Sequence, residues 1–108
     1  MTVTAKGRVN VATPGTPVQL SSDPAQRASK IFFQVIPGLT SKAYIGKSGM
    51  NRSSLVGVMR ILWPNPSGGI SDSFYIEAQD GSDSLNLAEY FIDMDVAGEG
   101  LLISYWTE

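Results

Sequence analysis

The stretch spanning residues 90–106 constrains the fold of this chain more than any other. Apolar side chains recur at every second position, first in residues 90–96 and again in residues 101–105, and the positions between them are mixed, with Phe91, Asp93 and Asp95 in the first run and Leu102 and Ser104 in the second. This period of two is typical of β-strands that bury one face. Between the two runs, Gly98 and Glu99 predict a two-residue turn in which Gly98 takes a positive φ. The pattern therefore predicts a β-hairpin with one apolar face.

The predicted hairpin cannot be stable by itself. Its expected register pairs three sets of apolar side chains, Val96 with Leu101, Met94 with Ile103, and Ile92 with Tyr105. On the opposite face Asp93 and Asp95 are expected to lie in water. Because an isolated hairpin is marginal in water, the apolar face requires a second sheet to cover it. The sequence thus predicts a sandwich.

The rest of the chain fits the same fold class. Alternating stretches recur at residues 30–36, 55–63 and 73–79, and proline- or glycine-rich turns separate them. At 108 residues the chain has the length of one domain. We predict an all-β, antiparallel, jelly-roll-like β-sandwich of about eight short strands. Residues 1–12 are predicted to be an edge strand or an extended arm, and residues 13–108 the single sandwich domain.

The absence of two residue types narrows the possible functions. The chain has no cysteine and no histidine, which excludes disulfides and thiolate metal sites and removes the commonest general base. We therefore expect no metal, no cofactor and no enzymatic activity. No apolar run approaches the ~20 residues of a membrane span, and the N-terminus lacks an apolar signal core. The expectation is a soluble protein that does not contact membranes.

Charge is distributed unevenly along the chain. Residues 1–60 carry all eight basic residues and one acidic residue, a net charge of +7, whereas residues 61–108 carry nine acidic residues and no basic one, a net charge of −9. Opposite charges on adjacent strands would account for this distribution. Two oppositely charged surfaces, suited to ordered docking, are the alternative, but the adjacent-strand explanation is preferred because runs of charge usually form solvated faces.

Short motifs for chemistry are weak in this sequence. Gly46-Lys47-Ser48 lacks the preceding glycine of a phosphate-binding loop, because position 41 is serine. Residues 80–83 lack the remaining ligands of a calcium loop and are predicted to form a turn. Aromatic residues lie mostly at core spacing and the chain is not basic overall, so we expect no nucleic-acid binding.

Four segments nevertheless resemble a known group of proteins. TPGTPVQLS at residues 13–21, YIGKS at 44–48, YFID at 90–93 and VAGEG at 96–100 resemble small virion proteins of tailed bacteriophages, of the capsid decoration or cement type. The resemblance implies an all-β protein, made in the host cytoplasm, that binds the outer surface of the capsid and stabilises the head. The implied partners are the major capsid protein and further copies of the chain, as a homodimer or homotrimer.

Candidate contact residues follow from charge and loop composition. The chain offers basic side chains on an exposed strand and in a loop, followed by a proline-rich loop with an aromatic anchor; the candidates are Lys6, Arg8, Lys47, Arg52, Trp63, Pro64, Asn65 and Pro66. The alternative is a virion fibre or a sugar- or receptor-binding β-sandwich module. An open groove lined by Trp63 and Trp106 would favour that alternative.

Overall fold

The computed structural model describes residues 2–65 and 72–108, and it confirms the predicted all-β sandwich. The strands are β1 (Thr2–Asn10), β2 (Val18–Gln19), β3 (Arg27–Ala28), β4 (Lys30–Val35), β5 (Ala43–Lys47), β6 (Val58–Leu62), β7 (Ser73–Glu77), β8 (Leu85–Asn86), β9 (Tyr90–Met94) and β10 (Gly100–Thr107). One 3₁₀ turn, Leu87–Glu89, precedes β9.

Two antiparallel four-stranded sheets make up the sandwich. The front sheet has the order β1-β10-β4-β7 and the back sheet the order β2-β9-β5-β6, while β3 and β8 form a small separate ladder. The chain changes sheet between β1 and β2, β4 and β5, β6 and β7, and β9 and β10. This alternation between two sheets is the topology of a jelly roll.

The core lies between the inward faces of the two sheets. On β4 the residues Ile31, Phe33 and Val35 are buried and alternate with less buried neighbours, as the period of two predicts. Phe33 stacks on Phe74 of β7, with ring centroids 6.1 Å apart. The back sheet contributes further buried side chains, among them Ile45, Ile92 and Met94, so both sheets are held by apolar area removed from water.

The predicted hairpin of residues 90–106 is wrong in its pairing. Gly98 has the expected positive φ of 83°, and Glu99 N donates to Val96 O at 3.3 Å in a turn. However, β9 belongs to the back sheet and β10 to the front sheet. The turn is tied to Val11 instead, because Val11 N donates to Glu99 O at 2.9 Å and Gly98 N donates to Val11 O at 2.8 Å. The two apolar faces therefore meet across the core rather than side by side.

The N-terminal segment and the β6 segment also show local irregularities. Strand β1 is an edge strand on β10, with a β-bulge between Ala5 and Gly7, where Gly7 has a φ of 91°. The strand predicted at residues 55–63 is shorter, because Leu55 and Gly57 both have positive φ and form a turn before β6. The register of β5 and β6 shifts between Ile45 and Gly46, which pair with Arg60 and Val58, so the extra residue, Met59, lies on β6.

The register brings four loops to one end of the sandwich. Ala43 pairs with both Leu62 and Met94, so the end of β6, the start of β5 and the end of β9 coincide. In the front sheet Leu101 pairs with Val35, and Gly100 pairs with the end of β1. The four connections at these strand ends, residues 11–17, 36–42, 63–72 and 95–99, therefore share one end, which we call the crossover end. Residues 66–71 of the third connection lie outside the described residues.

The start of β10 requires glycine for space. A Cβ on Gly100 would lie 2.0 Å from Val9 O and 2.7 Å from Asn10 Cα, which are backbone atoms of β1. We expect Gly100→Ala to lower the free energy of unfolding in urea by about 2–3 kcal/mol, because β1 must shift to accommodate the methyl group. Gly38→Ala is the control, since its Cβ meets nothing within 4 Å and only the φ of 86° is strained, at a cost of about 1 kcal/mol. Equal losses for the two variants would contradict the proposed clash.

Candidate functional site

The predicted contact residues occupy separate parts of the surface. Lys6 and Arg8 are exposed on β1, whereas Lys47 and Arg52 belong to the back sheet and the loop that follows it. Trp63, Pro64 and Asn65 follow β6 at the crossover end, and Pro66 lies outside the described residues. The side chains of Arg8 and Arg52 reach the 95–99 connection of the crossover end, where they contact Gly98 and Asp95, whereas Lys47 pairs with Glu89 away from that end.

Trp63 is the most exposed aromatic residue at the crossover end, with 61% of its surface accessible to solvent. The Lys42 ammonium nitrogen lies 5.1 Å from the centroid of the Trp63 ring and 5.9 Å from that of Tyr44. These distances are in the range of cation–π attraction. The backbone of Trp63 is fixed as well, because its N–H donates to the carboxylate of Asp72 at 3.2 Å. The indole is thus both exposed and held in position.

Glu99 ties two loops of the crossover end together. Its carboxylate accepts hydrogen bonds from Thr40 N at 3.1 Å, from Thr40 Oγ1 at 3.1 Å and from Ser41 N at 2.8 Å. The Ser41 hydroxyl in turn accepts from Asp95 N at 2.7 Å. Hydrogen bonds to a charged carboxylate are stronger than those between neutral groups. Sequence reasoning missed this role, because Glu99 stands 58 positions from Ser41.

Further contacts extend this fixed surface across the crossover end. Gly38 N donates to Asn65 O at 3.3 Å, which joins the second loop to the third. On the opposite edge Arg8 donates through Nη2 to Gly98 O at 3.3 Å and through Nε to Asn10. The described loops at this end also contain four prolines, at positions 14, 17, 37 and 64, and each fixes its own φ. The described parts of the crossover end are consequently preorganised.

Arg52 does not project freely from its loop, and the prediction that Asp93 is solvated is wrong. Asp93 is completely buried, and its carboxylate accepts from Gly15 N at 3.1 and 3.2 Å and from Met94 N at 2.8 Å. Arg52 Nη1 donates to Asp95 at 2.7 Å, while Arg52 Nε lies 3.8 Å from Asp93, too far for a hydrogen bond. The loops that carry Gly15 and Arg52 thus cover the outer face of β9. The alternation of apolar and polar residues had predicted that this face is exposed to solvent.

Part of the uneven charge along the chain is matched by opposite charges on neighbouring segments. Strand register places Lys30 opposite Glu77. Lys47 Nζ lies 3.6 Å from Glu89 and 4.6 Å from the ring centroid of Tyr90. Together with the Arg52–Asp95 pair, these contacts join the basic first part of the chain to the acidic second part. At Lys30, Lys47 and Arg52, therefore, the structure places opposite charges on neighbouring segments.

Acidic residues do not assemble into a metal site within residues 2–65 and 72–108, where no group of three or more potential ligands is found. The turn at residues 80–83 is stabilised internally, because the Asp80 carboxylate accepts from Ser82 N at 3.1 Å and from its hydroxyl at 2.7 Å. These hydrogen bonds lower the pKa of the exposed Asp80. In the same described part of the chain, no helix is long and apolar enough to cross a membrane.

Comparison with protein-family models, with curated proteins and with solved structures finds no match for this chain.

The Arg52 cluster gives a stability prediction with an internal control. Arg52→Met leaves the buried Asp93 carboxylate without its neighbouring cation, so we expect the free energy of unfolding to fall by about 2–3 kcal/mol. This loss is smaller than that expected for a fully buried ion pair, because 29% of the Arg52 side chain is exposed. Lys47→Met removes an ion pair whose side chains are 49% and 59% exposed, and should cost less than about 0.5 kcal/mol. Urea denaturation of both variants measures the difference. A loss no greater for Arg52→Met than for Lys47→Met would contradict a structural role for the cluster.

Proposed function

We propose that this protein is a bacteriophage capsid decoration protein that binds the outer capsid surface through its crossover end and stabilises the head. The observation that carries the proposal is the exposed, fixed indole of Trp63 among hydrogen-bonded, proline-containing loops. The resemblance of residues 13–21, 44–48, 90–93 and 96–100 to virion proteins of this type points in the same direction. The protein would then be located on the exterior of the virion.

Preorganisation favours such a role for the crossover end. A flexible segment loses conformational entropy when it docks, whereas backbone already held by hydrogen bonds, as Ser41 is by Glu99 and Trp63 is by Asp72, loses less. Tryptophan is among the residues that most often dominate binding energy at protein interfaces. An exposed indole whose backbone is already held by a hydrogen bond is therefore suited to bind a partner with little rearrangement.

Stabilisation of the head follows from binding to the assembled state. A ligand that binds the intact capsid better than its separated subunits shifts the equilibrium toward the intact form. If each copy of this protein touches two neighbouring capsid subunits, rupture must also break those contacts. Many symmetric copies multiply a modest energy per site. The partners in this proposal are the major capsid protein and other copies of this chain in a homodimer or homotrimer.

Binding to undecorated capsids tests the proposal directly. Purified protein should sediment with capsids that lack it and raise the temperature at which they release DNA. Trp63→Ala should weaken binding per site by at least about thirtyfold, because it truncates the proposed central contact. Tyr75→Ala is the matched control, since Tyr75 is 53% exposed but lies on the outer face of the front sheet, and its binding should remain unchanged.

Two results would contradict this function. The first is failure of the wild-type protein to sediment with capsids or to increase their heat resistance. The second is equal weakening by the two variants, which would place the contact elsewhere. Mass spectrometry of purified virions adds an independent measurement, because a decoration protein is present in many copies per head whereas a fibre module is present in few.

A further inference from the structure

The outer face of the front sheet carries aromatic residues on neighbouring strands. Strand register puts Trp106 of β10 opposite Lys30 of β4, and Phe32 of β4 opposite Tyr75 of β7. Because side chains on a strand alternate between faces, these four residues share the face that points away from the buried Ile31 and Phe33. Part of this face is open to solvent, as the exposure of Tyr75 shows.

The Trp106 indole is held by its neighbours. Phe32 contacts it edge to face, with ring centroids 6.4 Å apart and an interplanar angle of 69°. The Lys30 ammonium nitrogen lies 5.1 Å from the Trp106 centroid and 4.4 Å from that of Tyr75. Cation–π attraction to two rings fixes this nitrogen beside the indole. A hydrogen-bond donor and an apolar ring surface are therefore positioned side by side.

A cavity of about 300 Å³ adjoins these residues, and it is lined by Ser29, Lys30, Glu77, Gly81, Trp106 and Glu108. Two hydrogen bonds shape its wall. Ala78 N donates to Ser29 O at 2.8 Å and Glu108 N donates to Asp83 Oδ1 at 3.0 Å, so the turn after β7 is fixed next to the end of β10. The volume is at the lower end of the range for small-molecule sites.

We propose that this cavity binds a neutral saccharide. The part of the Trp106 ring that lines the cavity offers apolar surface for C–H groups of a sugar, Lys30 supplies hydrogen-bond donors, and the carboxylates of Glu77 and Glu108 accept hydrogen bonds from hydroxyl groups. Sugars carry both donors and acceptors, so a site with both kinds of group suits them. The lining has one cation and two carboxylates, which disfavours acidic sugars.

The saccharide site and the capsid contact are compatible because they lie at opposite ends of the sandwich. Lys30 begins β4 and Trp106 is near the end of β10, whereas the crossover end is formed by Val35 and Gly100 at the other termini of these strands. A copy attached through its crossover end would therefore carry the cavity away from the capsid. Trp63 and Trp106 do not share one groove, since Trp63 follows β6 at the crossover end. The saccharide site does not depend on the capsid role, and either can fail alone.

The two tryptophans of the chain allow a specific binding test. In Trp63→Phe protein, Trp106 is the sole indole, so maltose, cellobiose, lactose or chitobiose at millimolar concentration should change the emission spectrum in a saturable manner if it occupies the cavity. In Trp106→Phe protein the same titration should leave the emission of Trp63 unchanged. Circular dichroism melting curves establish that both variants are folded.

A polar variant checks the site without altering either tryptophan. Glu77→Gln in the Trp63→Phe background should weaken binding of the responsive sugar by about tenfold, because a charged acceptor becomes a neutral one. Gln34→Glu, on the same strand face as Lys30 but near the other end of β4, should leave the affinity unchanged. The proposal is overturned if none of the four disaccharides alters Trp106 emission, if Trp63 responds instead, or if sialyllactose binds more tightly than lactose.

Discussion

Pairing of β10 on both of its edges is the constraint on which the architecture depends. This strand hydrogen-bonds to β1 on one side and to β4 on the other, so it joins the N-terminal edge of the front sheet to its centre. Its inward residues Leu101, Ile103 and Tyr105 are then buried against the back sheet. Each sheet alone would expose a large apolar surface, and stacking the two sheets removes that surface from water.

Buried and half-buried carboxylates organise the loops around this apolar core. Asp93 holds the loop at Gly15 and lies beside Arg52, while Glu99 holds residues 40 and 41. A buried carboxylate without such partners would be costly. These acids therefore link segments distant in sequence and convert several turns into fixed surfaces. Among these contacts, Arg52 with Asp93 and Asp95 also brings a basic residue of the first part of the chain against acidic residues of the second part.

The two functional proposals use opposite ends of one scaffold. At the crossover end, loops fixed by Glu99 and Asp72 present Trp63 for protein contact. At the other end, strand termini and the turn after β7 enclose a small cavity beside Trp106. A sandwich allows two such sites, because its hydrogen-bonded strands hold the crossover end and the cavity at a constant distance from each other. Adhesion to a capsid and recognition of a sugar would then be independent properties of the molecule.

The sequence by itself determined the fold class, the buried alternation of residues 30–35, the positive φ of Gly98 and the exposure of Trp63, because periodicity, glycine and proline act through local geometry. Only the tertiary structure decided that β9 and β10 lie in different sheets, that Asp93 is buried, and that Trp106 borders a cavity. A period of two specifies which side chains share a face. It does not specify which strand lies alongside or which loop covers the outside, since those depend on contacts between residues far apart in the chain.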